Sequence, residues 1–126
     1  MSRLTSSSED YLEAIYELSN KDEAVRSVDI AEHLQVSKAS VNKAVHVLQD
    51  AGLIEHAHYG QIHLTRLGRR QAADILQRHL MLKRFLTEVL KIDEETAEQD
   101  ACRMEHAISR ETRDHWLSWL DDILDK

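Results

Sequence analysis

The spacing of apolar residues divides the chain into segments with different periods. Apolar residues recur three and four positions apart after Ser6, Ser27 and Ser37, and each of these serines can cap a helix. We therefore predict three helices, the first ending near Asn20 and the third ending at Gly52. The apolar face of the third helix is Val41, Ala44, Val45 and Leu48.

Alternating spacing replaces helical spacing in the segment LIEHAHYGQIHLT. One predicted strand starts at Leu53, and a second contains Ile62 and Leu64. The pair Tyr59-Gly60 between them predicts the turn of a hairpin. A β-hairpin directly after three helices predicts a winged helix-turn-helix.

Helical spacing returns after Thr65, which can cap the helix that follows, and continues nearly to the last residue. We predict a long helix over about 66–90, another over about 93–108, and a last helix that Ser109 caps. The last helix carries two tryptophans on its apolar face, and the helices together offer more apolar surface than one layer can cover.

These elements predict a mostly α-helical protein with two domains. Residues 1–70 form a winged helix-turn-helix DNA-binding domain with a small β-hairpin wing, and residues 71–126 form an all-helical domain. The chain has a net charge of -7, one cysteine and no proline, so neither an internal disulfide framework nor a linker is expected. Since no apolar run resembles a signal peptide or a membrane span, we expect a cytoplasmic protein without a membrane partner.

The third helix is the candidate for contacts with double-stranded DNA. Two lysines and no acidic residue lie between Gln35 and Gln49, and the second helix of a helix-turn-helix reads the major groove with its first residues. An ordinary solvated helix face is the alternative, which the hairpin directly after the helix disfavours. The predicted contacts are Ser37, Lys38, Ala39, Ser40, Asn42 and Lys43, together with Ser27 in the second helix and Tyr59 in the wing.

A second candidate site is the segment ACRMEH, which contains the cysteine of the chain. Cys102, Glu105 and His106 have the i, i+3, i+4 spacing of one helix face. In the first helix, Asp10 and Glu13 are also three positions apart, and His79 lies midway along the long helix.

If these three helices pack together, their carboxylates, imidazoles and thiol converge. Such a mixed set of donors suits a divalent transition ion, namely Fe(II), Mn(II), Co(II), Ni(II) or Zn(II), rather than Ca(II) or Mg(II). Each residue alone has an ordinary explanation: Cys102 as a small apolar filler, His79 as a core histidine, and Asp10 and Glu13 as a solvated face.

Several motifs together resemble the metal-dependent repressors typified by the diphtheria toxin repressor and the manganese transport regulator. They are EDYLEAIYEL, DIAEHLQVSKASVNKAVHVLQDAGLIEHAHYGQIHLTRLGRR, RHLMLKRFL and EQDACRMEH, which cover nearly the whole chain. The resemblance implies a homodimer whose N-terminal domains bind operator DNA once metal is bound, with no small organic ligand. The residues that match the metal-binding positions of the family are Asp10, Glu13, His79, Cys102, Glu105 and His106.

The sequence departs from the family pattern in two respects, of which the first affects the choice of metal and the second the ancillary site. The manganese-type pattern has a carboxylate in place of Cys102, whereas the iron-type pattern has that cysteine but a methionine in place of Asp10. We therefore expect a response to both Fe(II) and Mn(II), with iron slightly ahead. Lys83 and Glu98 stand where the ancillary site of the iron-type members uses a glutamate and a histidine, so no such site is expected. The SH3-like third domain of longer members is not expected either.

Two other functions remain open at this stage. One is a winged-helix regulator that does not respond to metal. The other is a small helical metalloenzyme, since carboxylate and histidine sites in helices also perform hydrolytic or oxidative chemistry. The sequence contains neither an evident acid/base pair around the candidate ligands nor an evident substrate pocket, and we expect a protein that is not an enzyme.

Overall fold

In the computed structural model, which describes residues 4–19, 24–57 and 60–124, the chain divides into two units. They are Met1–Asp74 and Ile75–Lys126. None of the helices in these described residues combines the length and the apolar character of a membrane span.

The first unit contains three helices and a small antiparallel sheet. The helices are α1 (Ser6–Ser19), α2 (Ser27–Leu34) and α3 (Lys38–Asp50), and the strands are β1 (Val25–Arg26), β2 (Ile54–His56) and β3 (Gln61–Leu64). The strand order is β1-β3-β2, with Ile54 opposite Leu64 and Val25 opposite Ile62. The predicted winged helix-turn-helix is confirmed, while the predicted turn at Tyr59 and the helix end near Asn20 lie outside the described residues.

Strand β1 was not predicted from the sequence. Its two residues are too few to display an alternating pattern, and only the pairing with β3 identifies it as a strand. The β2–β3 hairpin is therefore part of a three-stranded sheet, with β3 as the central strand, rather than an isolated hairpin.

Local side-chain chemistry sets two of the helix starts as predicted. The hydroxyl of Ser37 accepts a hydrogen bond from the backbone N–H of Ser40 at 3.1 Å at the start of α3. The hydroxyl of Thr65 accepts one from the N–H of Gly68 at 3.0 Å, at the start of the long helix.

The other two predicted caps of this unit are wrong. Thr5, not Ser6, caps α1, because its hydroxyl accepts a hydrogen bond from the N–H of Ser8 at 3.1 Å. Ser27 is the first residue inside α2, and the cap position belongs to Arg26, whose N–H donates to the carboxylate of Asp29 at 3.2 Å. Strand β1 ends at Arg26, and α2 starts at the next residue.

Apolar side chains of the helices and the sheet share one core in the first unit. The apolar face predicted for α3 is buried as expected. The largest buried side chains are Leu12, Ile15, Ile30, Leu48, Leu53, Ile54 and Ile62.

The second unit is entirely helical in its described residues. Its elements are the C-terminal part of α4 (Arg66–Arg84), a π-helical turn (Phe85–Val89), α5 (Glu94–Met104) and α6 (Arg110–Leu124). Met81, Leu82, Ala101 and Leu120 form its core, and Phe85 and Trp116 pack against it.

Helix α5 ends at Met104, four residues before the predicted end at Ile108. Two contacts stabilise the early end. The hydroxyl of Ser109 accepts a hydrogen bond from the N–H of Thr112 at 3.1 Å and so starts α6, as predicted. The guanidinium of Arg78 donates to the backbone carbonyl of Ile108 at 3.4 Å, which satisfies a carbonyl oxygen outside both helices.

Candidate functional site

His79 is the centre of a polar cluster within the second unit. Its side chain is 7% exposed on α4, and its Nδ1 atom faces two residues near the end of α5. Nδ1 lies 3.5 Å from Oε1 of Glu105 and 3.8 Å from Sγ of Cys102. Three of the predicted ligands are therefore neighbours.

His106 extends this cluster. It lies in the turn after α5 rather than inside the helix, and its side chain is 8% exposed. Its Nε2 atom is 3.8 Å from the same Oε1 atom of Glu105. Glu105 still bonds its N–H to the carbonyl of Ala101 at 3.0 Å, so the side chains keep nearly helical spacing although the helix has ended.

The carboxylate of Glu105 is the group that most needs a cation. Its side chain is 1% exposed, and its Oε2 atom has no hydrogen-bond partner among the described residues. A buried carboxylate oxygen without a donor is unfavourable, and most such groups in proteins are satisfied. Together with imidazole nitrogen and sulfur, this oxygen gives a donor set that fits a divalent transition ion.

Protonation of His79 partly satisfies the cluster in the absence of metal. The hydrogen bond with Glu105 raises the pKa of His79 from 6.5 to about 9, while burial acts in the opposite direction and Glu98 reinforces the rise. The imidazolium then donates from both ring nitrogens. A proton therefore has to leave before a nitrogen of His79 can bind metal.

Two residues that were not predicted as part of the site lie on the other side of the imidazole. Nε2 of His79 is 2.9 Å from Oε1 of Glu98, and Oε2 of Glu98 is 3.0 Å from Nζ of Lys83. The donor atoms of His79, Glu98 and Cys102 lie within 4.8 Å of one another. The spacing of Glu98 four positions before Cys102 was the available sequence signal for this arrangement.

Asp10 and Glu13 belong to the first unit. Both are on α1, where Asp10 is exposed and Glu13 is half-buried. Their spacing of three residues directs the two carboxylates to one side of the helix. Their role as ligands stays a prediction.

The predicted DNA contacts occupy the exposed first turns of α3. Every predicted residue of this segment is exposed, whereas Val41, Ala44, Val45 and Leu48 are buried. Ser27 is half-exposed at the start of α2, and Tyr59 lies outside the described residues. The exposed segment comprises Ser37, Lys38, Ala39, Ser40, Asn42 and Lys43.

Comparison with protein families gives two matches. Residues 3–62 match the model described as iron dependent repressor, N-terminal DNA binding domain. Residues 65–123 match the model described as iron dependent repressor, metal binding and dimerisation domain.

Individual relatives agree with these matches. An uncharacterized HTH-type transcriptional regulator of Methanocaldococcus jannaschii is 32% identical over 124 residues, covering 98% of this chain and 99% of the relative. The transcriptional regulator MntR of Escherichia coli O157:H7 is 38% identical over 106 residues, covering 84% of this chain and 68% of the relative. The diphtheria toxin repressor of Corynebacterium diphtheriae is 30% identical over 123 residues, and the chain spans only 54% of its length.

Solved structures show the same likeness. The manganese regulator SloR has a TM-score of 0.78 and 30% identity, covering 97% of this chain and 55% of that one. A manganese-dependent transcriptional repressor in complex with manganese has a TM-score of 0.79 and 28% identity, covering 90% of this chain and 52% of that one. The chain therefore spans about half the length of these solved chains.

Proposed function

We propose, from the premise that this chain belongs to the family of iron-dependent repressors, that it represses transcription as a homodimer when loaded with Fe(II) or Mn(II). Members of this family are metal-dependent, DNA-binding transcriptional repressors and not enzymes, which decides against a metalloenzyme. The observation that carries the proposal is the buried Glu105 carboxylate beside His79 and Cys102, with one oxygen lacking a donor among the described residues.

We assign the metal ligands to both functional domains, residues 1–70 and 71–126. His79, Cys102, Glu105 and His106 are the assigned ligands of the second domain, and Asp10 and Glu13 are those of the first. Supporting this assignment, both sets place candidate donors one helical turn apart.

When bound, the ion supplies positive charge and directed bonds to these donors. Without it, the like charges of the Asp10, Glu13 and Glu105 carboxylates oppose the arrangement in which the assigned ligands converge. Metal changes DNA affinity only as far as it binds this arrangement better than others.

The proposed DNA contacts are the exposed segment defined above at the start of α3, together with Ser27 and Tyr59. Lys38 and Lys43 neutralise phosphates, and Ser40 and Asn42 offer hydrogen bonds to bases or backbone. In a homodimer, two copies of α3 enter major grooves of one operator, and their separation has to match the spacing of the half-sites.

The homodimer is supported by apolar surface on the second unit. Trp119 and Ile123 of α6 are 45% and 48% exposed, and Leu90 is 52% exposed. Trp119 borders an open groove of about 670 Å³ that Phe85 and Trp116 also line. A second copy of the chain covers this surface in the proposed dimer, as the description of the matching domain suggests.

We propose that the bound metal is Fe(II) or Mn(II), with Co(II), Ni(II) and Zn(II) as substitutes in vitro. The proposed location of the protein is the cytoplasm, where the operator DNA is. The thiol of Cys102 favours iron, and the carboxylate of Asp10 favours manganese. The regulated genes then serve the homeostasis of these metals.

The test is a metal titration read by DNA binding. DNA duplexes are first selected from a random pool with metal-loaded protein. The protein is then freed of metal with a chelator, and its affinity for the selected duplexes is measured as Fe(II) or Mn(II) is added. We expect affinity to increase by about tenfold or more, and Glu105→Gln to abolish this increase.

A metal-independent winged-helix regulator gives a different result. Selection would then recover the same duplexes in the presence of a chelator, and affinity would not change on adding metal. A random-sequence duplex is the control for non-specific attraction.

A further inference from the structure

We propose that Glu98 and Lys83 are positioning residues of the metal centre, which determine that His79 binds metal through Nδ1. This inference rests on the metal binding proposed above. It adds two residues that the ligand set does not contain and assigns them a role through His79.

The two nitrogens of His79 face different partners. Nε2 is at hydrogen-bond distance from Glu98, at 2.9 Å, whereas Nδ1 faces Glu105 and Cys102. A neutral imidazole carries one proton, and an N–H at Nε2 donating to the Glu98 carboxylate leaves the lone pair on Nδ1. The nitrogen that can bind metal is thus the one beside the thiol and the buried carboxylate.

Lys83 orients the carboxylate of Glu98, which determines which nitrogen of His79 is protonated. Lys83 is four residues after His79 on α4, so the two side chains lie on one face of the helix. Its Nζ atom is 3.0 Å from Oε2 of Glu98 and 3.4 Å from Oε1 of Glu94. Glu98 therefore uses one oxygen for His79 and the other for Lys83.

The fixed charge of Lys83 also separates Glu98 from the ligand set. An ammonium group cannot bind a metal ion, and its contact occupies the oxygen that Glu98 would otherwise offer. The side chains of Lys83 and Glu98 are 29% and 46% exposed, so the pair contributes little to folding stability. Its effect is on the orientation and basicity of the imidazole, as in other carboxylate–histidine–metal arrangements.

The alternative is that Glu98 itself binds the ion. Its carboxylate lies close enough to His79 and Cys102 to join them as a donor. In that case Nε2 of His79, rather than Nδ1, faces the ion.

The first experiment measures the affinity of the full chain for Zn(II) by competition with a chelator. We expect Glu98→Gln to weaken binding by about 10- to 100-fold, the usual effect of removing a partner of a metal-bound histidine. Lys83→Met is expected to weaken it by about threefold, since it only loosens Glu98. Glu95→Gln, the same change at an exposed position of α5, is the matched control and should bind like the wild type.

The second experiment identifies the bound nitrogen from ¹⁵N NMR spectra of the imidazoles in the Zn(II)-loaded chain. We expect His79 to have a protonated Nε2 and a metal-bound Nδ1 in the wild type, and to lose this single tautomer in Glu98→Ala, which has no side-chain oxygen to accept the Nε2 hydrogen. A purely structural role of Glu98 would not change the tautomer.

The outcomes separate the two proposals. A wild-type chain that takes up no Zn(II) overturns the metal-binding function and this inference with it. Wild-type uptake with a Glu98→Gln variant as tight as Glu95→Gln overturns the positioning role alone, as does a metal-bound Nε2 on His79.

Discussion

Nδ1 of His79 lies 3.5 Å from Oε1 of Glu105, and the two side chains are only 7% and 1% exposed. This contact is the main cause of the raised pKa of His79, at about 9. In the metal-free chain at neutral pH, the imidazolium is thus the cation that the buried carboxylate contacts. The same two residues are assigned to the metal when it binds.

The His79–Glu105 contact predicts how the stability of the metal-free chain depends on pH. The pKa of His79 is higher in the folded chain, at about 9, than its ordinary value of 6.5. Its stabilising contribution is therefore complete below about pH 6.5 and disappears as the pH rises through 9. The upper limit of the decrease in the free energy of unfolding is about 3 kcal/mol.

Urea unfolding of the metal-free protein between about pH 6 and 9.5 measures this decrease in the free energy of unfolding. His79→Gln should remove most of the pH dependence, whereas His46→Gln, at an exposed position of α3, should keep it. Parallel pH profiles of the wild type and His79→Gln would contradict the assignment.

Gly68 predicts a second stability effect, in the first unit. A Cβ atom at this position would lie 1.9 Å from the backbone oxygen of Leu53, which accepts a hydrogen bond from the N–H of Thr65 at 3.0 Å. Gly68→Ala therefore has to displace backbone, and we expect the free energy of unfolding to fall by about 3 kcal/mol. Gln77→Ala, on the exposed side of the same helix, should change it by less than about 0.5 kcal/mol. Equal stability of the two variants in urea would show that the backbone adjusts freely.

The helix caps indicate how much of the fold can be predicted from the sequence. Ser37, Thr65 and Ser109 were predicted correctly, because each is a single cap candidate directly before an apolar pattern. At α1 the run TSSS offers four neighbouring candidates with similar capping ability, and the hydrogen bond from the N–H of Ser8 identifies Thr5 as the cap. The sequence alone does not distinguish between such neighbours.

Helical spacing alone predicts only the part of the candidate site that lies near one helix end, whereas His79 was added from the long helix and from the family resemblance. Cys102 and Glu105 are close in the sequence, so their proximity follows from helical geometry. The contacts of His79 depend on the packing of α4 against α5, which periodicity does not determine. The role of Glu98 was missed because it depends on which ring nitrogen each carboxylate faces.

The exposed start of α3 predicts two different effects on DNA binding. Lys43→Ala should weaken binding to operator and random DNA alike, and should reduce the slope of log affinity against log salt by about 0.9 for each phosphate that the protein no longer neutralises. Asn42→Ala should instead reduce the preference for operator over random DNA by about tenfold or more. Binding isotherms at several salt concentrations separate the two effects.

Lys91→Ala, which removes a lysine from the second unit, is the control for the change in net charge. If neither Lys43→Ala nor Asn42→Ala differs from it in slope or specificity, the DNA-binding surface lies elsewhere.

The exposed tryptophan of α6 predicts the oligomeric state. Light scattering should give about twice the mass of one chain, with or without metal. Trp119 is 45% exposed and its ring is 6.1 Å from that of Phe85, so it combines a large apolar area with a fixed orientation. Trp119→Glu should give monomers at micromolar concentration, whereas Val47→Glu, an exposed apolar position in the first unit, should remain dimeric. A monomeric wild type would contradict the proposed mechanism.

Cys102 gives the sharpest test of the metal centre, because only a ligand role requires its thiolate. Its Sγ atom is 3.8 Å from Nδ1 of His79, and this softer donor favours Fe(II), Co(II) and Zn(II) over Mn(II) in comparison with a carboxylate. The Co(II)-loaded chain should have a sulfur-to-metal charge-transfer band that Cys102→Ser lacks. Cys102→Asp should shift activation of DNA binding towards Mn(II) without abolishing it, since Asp10 already supplies a hard donor. Cys102 is exposed, so it does not fill space in the core as the alternative explanation supposed. If it is not a ligand either, Cys102→Ser will leave the spectrum and the activation unchanged. The ligands would then have to come from Asp10, Glu13, His79, Glu105 and His106.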